Sequence, residues 1–71
     1  MLSFQIINSS RGIQIDCDDA GIATLIDALK RAPKRGHVHL CSPSCGGKEL
    51  SDTTPFGEAA IGEVIITIGG D

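Results

Sequence analysis

The run "DDAGIATLIDALKRAP", Asp18 to Pro33, most constrains what this 71-residue chain can fold into, because it carries a helical period between runs that alternate. Ile22, Leu25, Ile26 and Leu29 sit at i, i+3, i+4 and i+7, which gathers them in one stripe while Thr24, Asp27 and Lys30 face elsewhere. Asp18 or Asp19 can cap the first turn, since a carboxylate accepts the unpaired N–H groups there and favours the positive end of the dipole. Lys30, Arg31, Lys34 and Arg35 gather at the other end, where Pro33 opposes continuation. The spacing predicts a helix over 19–31, with its stripe lying on a sheet.

The flanking runs supply that sheet. Leu2, Phe4 and Ile6 alternate with Ser3, Gln5 and Ile7, and Ile13 and Ile15 alternate with Gln14 and Asp16 after the turn-forming cluster Asn8-Ser9-Ser10-Arg11-Gly12. His37-Val38-His39-Leu40-Cys41 alternates again, and 61–68 is the richest segment in β-branched residues, stopped by Gly69-Gly70-Asp71. Residues 42–57 hold Pro and Gly with no sustained period and read as a long loop, a kind that tends to be functional or mobile. The order strand, strand, helix, strand, strand predicts one α+β domain over residues 1–71. It is a two-layer sandwich of about four mostly antiparallel strands, with one amphipathic helix on one face. The wetter face of the sheet would carry Ser3, Gln5, Gln14, Asp16, His37, His39, Cys41, Glu63 and Thr67, with Ile65 as its apolar exception.

Composition narrows the function. Nine acidic residues against six basic ones give a net charge of −3, and two Phe are the only aromatic residues besides two His. Nucleic-acid binders show the opposite balance and rings on which bases stack, so the expected partner is a basic protein. The first residues carry no positive region and no long apolar run, which reads as a cytoplasmic protein with neither signal peptide nor membrane span. Three cysteines, an odd number, argue against a disulfide framework.

"GHVHLCSPSCGG" concentrates the chemical candidates. In a strand, residues two apart share a face, so His37, His39 and Cys41 point one way and Val38 and Leu40 the other. With Cys45 from the following turn, His37, His39 and Cys41 offer the ligand types zinc prefers, although a single CxxxC lacks the paired knuckles of structural zinc sites. The expectation is therefore no cofactor, with zinc as the alternative. A redox reading requires CxxC at a helix start, and Gly46-Gly47-Lys48 lacks the spacing of a phosphate loop. A chain this short also offers little to exclude water around a reacting group, so no catalysis is expected. The acids form two sets: Asp16, Asp18 and Asp19 crowd the start of the helix, and Asp52, Glu58 and Glu63 bracket the loop. If the sets converge, they and His37 and His39 make a surface suited to a basic partner.

"DDAGIATLIDAL", "GHVHL", "KELS" and "GEVIITI" together resemble the small bacterial immunity protein 32 family of polymorphic toxin systems, with His37, His39, Leu40, Leu50 and Ser51 as the matching positions. Cys41, Cys45 and the "TTPFGEAAIG" insert depart from that pattern. The resemblance covers about Ile13 to Ile68 and implies a non-catalytic cytoplasmic protein that neutralises a cognate toxin by stoichiometric binding. Self-association is the other alternative, because an edge strand and Ile65 could pair with a second copy.

Overall fold

A computed structural model of the chain describes residues 1–69, so the Gly70 and Asp71 part of the predicted strand stop lies outside it. The elements follow the expected order: β1 (Leu2–Ile7), β2 (Gly12–Cys17), α1 (Asp19–Arg35), β3 (His37–Cys41) and β4 (Glu63–Thr67). β1 and β2 pair antiparallel, with Phe4 opposite Ile15, and β3 and β4 pair antiparallel, with His39 opposite Ile65. The four strands thus form two ladders of two within the α+β fold. Backbone hydrogen bonds from the connecting segments tie the ladders together. Ser51 N–H donates to the Leu2 carbonyl and Ile61 N–H to that of Phe4, both at 2.8 Å, while Ser42 N–H donates to Gly62 at 2.9 Å.

Local chemistry sets the joints. Asn8, Ser9 and Ser10 all adopt positive φ, and Arg11 N–H closes the β1–β2 turn on the Asn8 carbonyl. Asp18 is the helix cap: its carboxylate accepts the Gly21 N–H at 2.8 Å and pairs with the terminal amine of Met1. At the other end α1 runs four residues past the predicted stop. Pro33 lies in the last turn at an exposed position, where water can serve the carbonyl left without an amide. Gly36, at φ 82°, then ends the helix by donating its N–H to Ala32.

The helix is turned differently from the expectation. Its buried residues are Gly21, Ala28 and Ala32, while Ile22, Ile26 and Leu29, three of the four in the predicted stripe, stay largely exposed and only Leu25 packs at the core's margin. Small side chains win that face because the backbones come too close for larger ones. A Cβ on Gly21 would lie 1.7 Å from the Met1 carbonyl oxygen. The core consists of Leu2, Phe4, Ala28, Ala32, Val38, Leu40 and Leu50, with Leu25, Ile61, Val64 and Ile66 packed around it. Full burial of a residue such as Leu2 or Leu40 contributes roughly 1.5–3 kcal/mol.

Three further expectations change. Ser3, assigned to the wetter face, is fully buried with its hydroxyl unpartnered. The 42–57 loop is organised rather than structureless: Pro43–Cys45 forms a 3-10 turn, Leu50 enters the core, and Thr53 bridges Ala59. β4 is also shorter than the predicted 61–68, because Ile61 turns its N–H to Phe4 before the ladder with β3 begins.

Candidate functional site

Val38 and Leu40 turn toward α1, so His37, His39, Cys41, Glu63, Ile65 and Thr67 stand on the helix-free side, as the alternation predicts. Leu2 and Phe4 likewise place Gln5, Gln14 and Asp16 on the helix-free side of the first ladder. Side-chain hydrogen bonds run along the helix-free side of the first ladder. Gln14 Nε2 donates to both oxygens of Asp16, at 3.1 and 3.3 Å. Its ladder partner Gln5 donates to Glu58 Oε1 at 3.1 Å. Asp16 and Glu58, from the two predicted acidic sets, therefore do come together, with the Gln5–Gln14 pair between them.

The other predicted acids have local duties. Asp18 caps α1, and hydrogen bonding to the terminal amine, reinforced by the Gly21 amide, holds its carboxyl below the usual range. Asp19 lies beside it in the first turn. Asp52 accepts the Ser44 N–H at 3.2 Å and steadies the 3-10 turn. Glu63 joins the second ladder's cluster instead, with its Oε2 at 3.2 Å from His39 Nδ1 and 3.7 Å from Cys41 Sγ.

That cluster bears on the zinc alternative. His37 and His39 meet edge to face with ring centres 5.1 Å apart. Cys45 lies against Gly62, where a Cβ would meet its sulfur at 2.6 Å. Among the described residues no group of three or more His, Cys, Asp and Glu side chains is placed to hold a metal ion. Burial first, and Glu63's negative charge second, push the Cys41 thiol above its ordinary range, which disfavours the thiolate that metal binding and thiol exchange both use.

Two features were not anticipated. The first is Phe56, 72% exposed at the tip of a tight turn. Thr54 builds that turn: its side chain is buried, its Oγ1 accepts the Phe56 N–H at 3.2 Å and the Glu58 N–H at 3.3 Å, and its own N–H donates to the Glu58 carbonyl at 2.8 Å. The sequence signal was a phenylalanine in "TTPFGE", outside any alternating run. The second is a cleft of about 430 Å³ lined by Arg31, Arg35, His37, Val38 and His39 at the β3 edge. Arg31 there is paired with Asp27 at 2.8 Å, and His39 Nδ1 lies 3.2 Å from Glu63 Oε2.

The described residues include no helix long and apolar enough to cross a membrane. Comparison of the chain with family models, with curated proteins and with solved structures finds no match.

Proposed function

We propose that the chain is a non-catalytic binding protein that takes a basic protein partner on its helix-free side, with Phe56 as the apolar anchor and Glu58, Asp16 and Glu63 as an acidic rim. The observation that carries this reading is the display of Phe56. An aromatic ring left in water while Thr54 fixes its backbone on both sides is a pre-organised contact, and pre-organisation lowers the ordering cost of association. Aromatic anchors ringed by polar groups are the usual centres of protein interfaces. The net charge of −3 favours a basic partner through faster encounter.

The resemblance to the immunity protein 32 family supplies the partner's class: a toxin domain made in the same cell and blocked in the cytoplasm by a one-to-one complex. Co-expression with the product of the adjacent reading frame tests the reading. Growth should be rescued by the wild-type chain and lost with a Phe56→Ala, Glu58→Lys variant that still folds. Equal rescue by both, or none by either, sinks it.

A further inference from the structure

The helix-bearing side of the first ladder is only half covered. Residues opposite each other across an antiparallel ladder share a face, so Cys17, Ile15 and Ile13 of β2 lie on the same side as Leu2, Phe4 and Ile6 of β1. α1 seals the β1 half and meets β2 at its Cys17 end, where Gly21 approaches it, leaving Ile15 and Ile13 open. Phe4 is 7% exposed and its partner Ile15 46%, while Ile13 reaches 64%. The Arg31 and Arg35 flank of α1 borders β3, and the second edge of β1 is occupied by Ser51 and Ile61. β2 therefore lies at the end of the molecule away from β3, and the opposite helix flank, Ile22, Ile26 and Leu29, overlooks it. Five large aliphatic side chains line that open angle between strand and helix.

We propose that this angle is the interface of a homodimer, in which β2 pairs antiparallel with β2 of a second copy and the exposed helix flanks close over the joined strands. Three observations favour a second copy as the occupant. The outer edge of β2 is bare: among the described residues no backbone hydrogen bond reaches it. Since the carbonyls of Leu2 and Phe4 point to Ser51 and Ile61 on the other edge of β1, the alternation of an antiparallel ladder turns the N–H and C=O groups of their partners Cys17 and Ile15, and of Ile13, outward. An unpaired strand edge is a template for an identical strand.

Charge also fits a two-fold pairing. Asp16, Asp18 and Asp19 stand at one end of β2 and Arg11 at the other. Centred on Gln14, the pairing sets Gly12 against Asp16 of the second copy, Ile13 against Ile15 and Arg11 against Cys17. The acidic end of each copy then meets the basic end of the other, and the aliphatic face stays in register. Beside Arg11, a hollow of about 280 Å³ bordered by Ile6 and Ile13 lies where the second copy's helix start arrives.

Area agrees with both. The chain exposes 4793 Å², against about 4200 Å² for a folded monomer of its mass, an excess of roughly 600 Å². A standard interface takes about 800 Å² from each partner, so the excess over the whole chain, to which the exposed Ile13, Ile15, Ile22, Ile26 and Leu29 contribute, is of the order that a dimer interface would cover. The Phe56 turn contributes no residue to this angle, so either proposal can fail without the other.

Sedimentation equilibrium of the full chain tests the dimer. The expected mass is twice 7.4 kDa at about 100 µM chain, with dissociation on dilution. Ile13→Lys, at an exposed position, should keep the far-UV spectrum and weaken association at least about tenfold. In an Arg11→Cys variant, mild oxidation should give a covalent dimer through Cys17 of the second copy, lost when Cys17→Ser is added. This second readout stands even where Ile13→Lys unfolds. A wild-type monomer throughout the concentration range overturns the proposal. So does a dimer that Ile65→Lys, on the helix-free side, dissociates while Ile13→Lys leaves it intact.

Discussion

Gly21 of α1 rests directly on the Met1 carbonyl, so closely that a Cβ at position 21 would lie 1.7 Å from that oxygen. This contact fixes how far the helix descends onto β1 and hence which helical face is buried. In an ordinary helix interior Gly→Ala stabilises by about 1 kcal/mol. Here the sign reverses: Gly21→Ala forces backbone apart and is expected to cost about 2–3 kcal/mol, read as a lower midpoint in urea. A midpoint at or above wild type would contradict the packing.

Thr54 is the hinge of the Phe56 display. Its replacement by Val keeps shape but leaves the Phe56 and Glu58 amides without their acceptor, and is expected to cost about 2 kcal/mol. Amide hydrogen exchange of residues 54–58 should quicken far more than that of β1. Unchanged protection in the turn would mean that Thr54 does not hold it.

The cluster at Glu63 makes a prediction about thiol chemistry. With Glu63's charge removed in Glu63→Gln, the Cys41 thiol should ionise more readily, and its alkylation by iodoacetamide at mildly alkaline pH should speed up several-fold. Cys17 and Cys45, scored by mass spectrometry in the same sample, should keep their rates. An unchanged Cys41 rate would remove Glu63 as a cause of its raised thiol.

Acid stability should report Asp18. Its folded carboxyl lies below its unfolded value, so the charged form contributes stability above that value, and the contribution is lost as pH falls through the acid range. Asn is an equally good cap without the charge. Asp18→Asn should therefore melt below wild type near neutral pH, and the two melting curves should converge between about pH 5 and pH 2. A constant offset across that range would assign the effect to the cap alone.

Much of this fold is legible in the sequence where the physics is local. The alternation of β1, β2 and β3, the Asp18 cap and the outward face of His37, His39 and Cys41 all follow from side-chain periods and hydrogen-bonding groups a few residues apart. The helix face did not follow. The stripe of Ile22, Ile26 and Leu29 is the more hydrophobic, but Gly21, Ala28 and Ala32 permit the closer approach, and that choice depends on Met1, far away along the chain. The site shows the same division. Asp16 and Glu58 are visible as acids in sequence, yet only the Gln5–Gln14 register brings them together, and Phe56 gains its role from the Thr54 hydrogen bonds around it.

The most direct test of partner binding through the helix-free side is a calorimetric titration of the chain into the purified product of its adjacent reading frame, comparing wild type with Phe56→Ala. The account predicts one chain per partner, and a loss of about 2 kcal/mol or more in binding on removal of the Phe56 ring, with folding stability unchanged within about 0.5 kcal/mol. Absence of binding by the wild-type chain, or equal affinity for both forms, would contradict it.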